Sequence, residues 1–124
     1  MKLHADPLTT LNTVTAYGPG FIEINSVRFG KPVRVTPDQP ATEWDVAGFD
    51  ALRAEDFEAL LAGRPEIVLL GTGARQRFPH PRLTASLGSA HVGFEVMDTR
   101  AACRTYNILV AEGRRVLAVL LLDS

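Results

Sequence analysis

Two polar tips are where this chain could do chemistry. One is Gly71-Thr72-Gly73, followed by a basic loop with Arg75, Arg77 and His80; the other is Met97-Asp98-Thr99. The glycine-bracketed tip has two readings. It is a tight turn that needs glycine's freedom at positive φ, or a backbone nest that receives an anion together with Arg75, Arg77 and His80. It is not a nucleotide fingerprint. The third glycine of G-x-G-x-x-G would fall at position 76, where Gln76 stands, and no Gly-Lys-Ser/Thr follows to make a phosphate loop. Asp98 and Thr99 read first as a helix cap, a short side-chain oxygen satisfying an otherwise unpaired N–H of the first turn. A carboxylate in that turn stabilises a helix by about 0.3–1 kcal/mol through the dipole. The same carboxylate opposes an anionic ligand at that helix end.

Other reactive side chains have stronger structural explanations. Cys103 lies on the inward stripe of the helix that follows Thr99, where a thiol behaves as a small, inert hydrophobe. A nucleophile would need exposure, a lowered pKa and a base, and the spacing puts neither His80 nor His91 beside it. Tyr106 is expected to pack in the core and send its hydroxyl to a partner. Asn107 either bridges to a neighbouring strand or loop or faces a pocket. Glu95 alternates with Phe94 and Val96, so it is exposed or paired with Arg114 or Arg115. A lone carboxylate makes no acid/base pair. His4, His80 and His91 show no metal-ligand spacing.

The elements that must position these residues follow from periodicity. Asn12 to Val46 reads as a small antiparallel meander. Val14 and Ala16, Ile22 and Ile24, Val27 and Phe29, and Val33 and Val35 alternate between Gly/Pro turns, with Trp44 and Val46 as a short further strand. Residues 1–10 read as a loose arm. Phe57, Leu60 and Leu61 mark a short helix from Arg53 to Ala62, stopped by Gly63 and Pro65. Glu66 to Leu70 is apolar without alternation after its first residue, as in a strand covered on both faces, and Gly71-Thr72-Gly73 breaks it. Pro81 to Leu87 is a second short helix. Strand 91–96, helix 99–112 ending at Gly113, and strand 115–122 complete a β-α-β-α-β half with parallel strands. In such sheets ligands bind beyond the carboxyl ends of the strands, where Gly71-Gly73 and Met97-Thr99 would meet.

Composition bounds the function. With 124 residues, 46% hydrophobic and 22% charged, the chain is expected to form one domain, 1–124. A net charge of −1 offers no field for nucleic acid or an anionic membrane. The longest apolar run, Val116 to Leu122, is far short of the ~20 residues that span a bilayer. MKLHADPLTT has the pattern of neither a signal peptide nor a transit peptide, so the expected location is cytoplasmic. One cysteine leaves no internal disulfide and no multi-cysteine metal site.

Two segments resemble a known family. They are PEIVLLGTG (Pro65 to Gly73) and GFEVMDTRAACRTYNILVAEGRRVLAVLL (Gly93 to Leu121). The pattern strand–GTG followed by E-x-M-x-T-x-x-A-C-x-T-Y-N-x-L is carried here by Glu95, Met97, Thr99, Ala102, Cys103, Thr105, Tyr106, Asn107 and Leu109. It is similar to that of the small α/β domains that include mitochondrial complex I (NADH:ubiquinone oxidoreductase) assembly factor 3 and the adipogenesis-associated domain protein. The resemblance implies a single α/β domain with an extra β layer. With the meander and the β-α-β-α-β half, the expected fold is a three-layer (β+α)/β/α arrangement with a mostly parallel sheet. It also implies no established enzymatic activity, no cofactor, and action through protein contacts in a bacterial, single-domain version. The leading expectation is a non-enzymatic interaction module assisting assembly of a respiratory or membrane complex. The alternative is a small-molecule or anion-binding protein, an enzyme among the options. Its site would be made by Gly71, Thr72, Gly73, Arg75, Met97, Asp98, Thr99, Tyr106 and Asn107.

Overall fold

A computed structural model describes residues 11–122; the expected N-terminal arm, residues 1–10 with His4, lies outside the described residues. Among the described residues eight strands and three α-helices are formed, in the order β1 (Val14–Gly18), β2 (Phe21–Ile24), β3 (Val27–Phe29), β4 (Val33–Val35), β5 (Thr42–Glu43), α1 (Ala54–Glu58), β6 (Ile67–Thr72), α2 (Ala85–Ser89), β7 (Gly93–Met97), α3 (Thr99–Ala111) and β8 (Val116–Leu121). Short 3-10 turns flank α1 and precede α2.

A five-stranded sheet, ordered β5-β4-β8-β6-β7, divides the molecule. The expected parallel core is present as β8-β6-β7. The sheet is mixed because β4 adds antiparallel to β8, and β5 antiparallel to β4. The separate meander is therefore shorter than its sequence pattern suggests. It contains only β1, β2 and β3, while Val33–Val35 leaves it for the central sheet. Alternation marks a half-buried strand but does not name the strand it pairs with.

Both faces of the central sheet are covered, which is why β6 and β8 read as near-continuous apolar runs. On one face Leu69, Ala118 and Leu120 pack with Ile22 and Ile24 of the meander and Cys103, Tyr106 and Val110 of α3. On the other, Val68, Leu70, Leu117, Val119 and Leu121 pack with Phe57, Leu60 and Leu87 from α1, its following turn and α2. Phe57 anchors that second layer, meeting both Trp44 and Phe94 edge-on at centroid distances of 6.0 and 5.9 Å. The three layers are thus meander plus α3, sheet, and the two short helices.

Several boundaries move by a few residues. The expected strand at Trp44–Val46 forms instead at Thr42–Glu43, with Trp44 following it into the core. The expected helix 53–62 is α-helical only to Glu58 and finishes as a 3-10 turn through Gly63. Gly71 and Thr72 do not break β6 but end it; the chain reverses at Gly73, whose φ is +94°. Gly113 follows α3 at φ +78°, as a helix-ending glycine should.

Candidate functional site

The carboxyl ends of β6 and β7 do come together, with Gly71 beside Met97 in the parallel ladder. From Met97 the chain passes through Asp98 into α3. Asp98 is extended (φ −62°, ψ 160°), and its Oδ1 accepts a hydrogen bond from Ala101 N at 2.9 Å, the expected N-cap.

Thr99 then closes the space between the two tips. Its backbone N donates to Gly73 O at 2.9 Å, and its Oγ1 accepts from Gly73 N at 2.8 Å and donates to Leu121 O at 2.6 Å. One buried threonine therefore joins α3, the end of β6 and the end of β8. Gly71 permits this approach. A Cβ there would stand 2.9 Å from Thr99 Oγ1, 3.1 Å from Thr99 Cα and 3.0 Å from Leu120 Cδ2. The crevice that an α/β sheet ordinarily leaves for a ligand is occupied here by the first turn of α3.

The basic loop folds onto the same end and spreads its charges. Buried Thr72 donates to Arg75 O at 2.7 Å and accepts from Arg77 N at 3.2 Å. Gln76 Nε2 donates to Val96 O at 2.8 Å. Arg77 lays its guanidinium over the Phe49 ring, 4.3 Å from the centroid. His80 Nδ1 accepts from Arg82 N at 3.1 Å and caps the next turn. Arg75 stays exposed. The nest reading needs Arg75, Arg77 and His80 together on one anion; here Arg77 is stacked on Phe49 and His80 Nδ1 is engaged by Arg82 N.

Tyr106 and Asn107 do not join this crevice. They lie about 10 Å or more along α3 from Thr99, at 1.5 Å per residue, and both hold the meander. Tyr106 is fully buried and donates to Asn12 O at 2.9 Å. Burial, with Asp38 adding a smaller repulsion, pushes its hydroxyl well above the ordinary tyrosine range. Asn107 Oδ1 accepts from Val14 N and its Nδ2 donates to Val14 O, both at 2.8 Å. The side-chain amide thus pairs with β1 as a neighbouring strand would. Of the two roles open to Asn107, the bridge is the one realised.

Two further expectations resolve. Cys103 is buried on the inward stripe. Glu95 is exposed, and the acid that engages Arg114 is Glu66, with Arg114 Nε at 3.0 Å from Glu66 Oε2. Glu66 Oε1 also accepts from Arg115 N at 3.0 Å; that bond and then the Arg114 guanidinium hold the carboxyl below its usual range. Among the described residues no group of three or more His, Cys, Asp or Glu is arranged to hold a metal ion.

Residues 14–121 match the family described as protein of unknown function DUF498/DUF598. The chain belongs to that family. A bovine relative, NADH dehydrogenase [ubiquinone] 1 alpha subcomplex assembly factor 3, is 34% identical over 104 residues, which are 82% of this chain and 55% of the bovine protein. The chain thus spans about half the length of that assembly factor. A Francisella tularensis relative named 13 kDa major membrane protein is 27% identical over 106 residues, 85% of this chain and 86% of its own. Among the described residues, no helix is long and apolar enough to cross a membrane. The fold is shared with a crystal structure of a Bordetella parapertussis protein at 47% identity and a TM-score of 0.89, covering 94% of this chain and all of that one. Among the residues that carry the family resemblance, Thr99 closes the sheet end, Cys103 fills the core, and Tyr106 and Asn107 fasten the meander.

Proposed function

We propose that the chain is a non-enzymatic interaction module that assists assembly of a respiratory or membrane complex. The observation that carries this reading is the set of vertebrate relatives named as complex I assembly factors, aligned across 82% of this chain in the bovine case. The geometry lends support, because the polar groups where an α/β sheet would work on a substrate are spent on structural hydrogen bonds. The test is affinity capture of the tagged chain from its native lysate at physiological salt. Subunits of a respiratory or other membrane complex are expected in the eluate, with reduced assembly of that complex when the gene is deleted. An eluate holding bait alone, with assembly unchanged by deletion, removes the proposal.

The competing reading keeps a small-molecule or anion site between Gly71-Gly73 and Met97-Thr99. Its one support is the exposed Arg75 beside the turn. A thermal-shift screen of metabolites and nucleotides tests it, since a ligand that binds only the native state raises Tm. A hit whose amide shifts map to residues 71–75 and 97–99 would establish it.

A further inference from the structure

Open space lies at the end of the central sheet away from Gly71 and Thr99. A cleft of about 480 Å³ is framed by the amino ends of β6 and β8, the carboxyl end of α3 and the β4–β5 connection. That volume falls in the range of small-molecule sites. Arg34, Arg114 and Arg115 line it, against Asp38 as the one carboxylate among its lining residues.

The three arginines are not equivalent. Arg114 is neutralised by Glu66. Arg115 Nε is turned toward Arg64 O at 3.4 Å. Arg34 has no side-chain hydrogen bond or ion pair among the described residues. It projects from β4 toward the turn after α1, where its Nη2 stands 3.8 Å from the position a Cβ on Gly63 would take. Thr36 lines the same cleft two residues along the chain, and its Oγ1 is buried without a hydrogen-bond partner among the described residues. A buried hydroxyl left unpaired is costly, and an unpaired guanidinium in the same cleft offers two donors in a planar fork. The remaining wall is apolar, with Pro65, Val110 and Leu117. The carbonyls at the end of α3 do not repel an anion here as bare acceptors would, because those of Ile108, Leu109 and Val110 already accept from Glu112, Gly113 and Arg114.

We propose that this cleft binds a small organic carboxylate with an apolar body, its head held by Arg34 with Thr36 and its tail against Pro65, Val110 and Leu117. One unpaired cation and one hydroxyl match a singly charged head; a phosphate dianion calls for more. The site is separate from the Gly71–Thr99 crevice and does not depend on the assembly reading.

Isothermal titration of the full chain with sodium decanoate, sodium phosphate and 1-decanol tests the proposal. Decanoate is expected to bind at one saturable site, inorganic phosphate at least tenfold more weakly, and decanol not measurably. Arg34→Gln should weaken decanoate binding at least tenfold while near-UV circular dichroism stays native, and Arg34→Lys should recover part of the loss. If Arg34→Gln fails to fold, Gly63→Leu, which fills the cleft beside the guanidinium, serves in its place with the same expected loss. Amide shifts on titration should centre on residues 34–40, 63–65 and 110–117. No decanoate binding at 5 mM (about the upper end of weak metabolite affinities), binding unchanged by Arg34→Gln, phosphate binding equal to that of decanoate, or shifts centred on residues 71–75 and 97–99 would each overturn it.

Discussion

Thr99→Val is the sharpest test of how the carboxyl end of the sheet is built. The substitution keeps the β-branched shape and nearly the volume, and removes only the hydroxyl. In the wild type that oxygen accepts from Gly73 N at 2.8 Å and donates to Leu121 O at 2.6 Å, and Thr99, Gly73 and Leu121 are all buried. The variant therefore strands a buried N–H and strips a buried carbonyl of one partner. Each orphaned group costs about 1–3 kcal/mol, the carbonyl toward the lower end because its second lone pair can serve elsewhere. The sum is about 2–4 kcal/mol, a large share of the ~5–15 kcal/mol that holds a domain of this size folded. With a urea m-value of about 1.5 kcal/mol/M, the midpoint should fall by roughly 1.3–2.7 M. Equilibrium urea unfolding followed by far-UV circular dichroism measures it, with Thr99→Ser as control. Serine keeps both hydrogen bonds and loses one methyl, about 1 kcal/mol. A Val variant within about 0.5 kcal/mol of wild type, or no worse than Ser, would refute the claim that this hydroxyl is the seam joining α3, β6 and β8.

Three further outcomes follow from the same geometry. Gly71→Ala places a Cβ 2.9 Å from Thr99 Oγ1 and 3.1 Å from its Cα, so α3 must shift; a loss of about 1–3 kcal/mol is expected in the same urea assay. Asn107→Ala removes both contacts to Val14 and should release the meander locally, seen as hydrogen-exchange protection lost in β1–β3 before the central sheet. Tyr106 has a folded-state pKa raised above its ordinary value of 10.0, so its stabilising contribution is complete below about pH 10 and drains away as pH rises toward the folded value. Ultraviolet titration should show the Tyr106 tyrosinate appearing only on alkaline unfolding.

What the sequence made legible was local. Alternation in residues 14–29 and unbroken apolarity in β6 and β8 have the right causes: one-sided burial in the meander and two-sided burial in the sheet. Asp98 as cap, Gly113 as helix stop and Cys103 as core filler are decisions made within one turn of chain. Of the pairings across long separations, the parallel β8-β6-β7 core was legible and the partner of β4 was not. Val33 and Val35 alternate as β1–β3 do, yet they pair with Ala118 and Leu120, a choice set by which surface remained uncovered. Glu66 and Glu95 are both single carboxylates in apolar surroundings; only the β6–β8 ladder puts Glu66 against Arg114 and Arg115.

The candidate site fared differently from the fold for a related reason. The two tips meet as expected, but a ligand crevice also requires space between them, and space is not written in residue types. Here Gly71 lets Thr99 approach so closely that the end of the sheet is closed by hydrogen bonds of the Thr99 backbone and hydroxyl. A glycine before a polar turn is ordinarily read as room for a phosphate; in this fold it is room for a helix. The cleft around Arg34 is assembled from Leu11 and residues 34–40, 63–65 and 110–117, segments with no shared motif and no spacing that would join them in one dimension. Its defining feature is a deficit, a guanidinium and a hydroxyl without partners among the described residues, and a deficit becomes visible only in three dimensions. The residues that carry the family resemblance and the residues that could hold a ligand are therefore different sets. Thr99, Tyr106 and Asn107 hold the layers together, and that stability lets Arg34 and Thr36 stand unpaired at the opposite end.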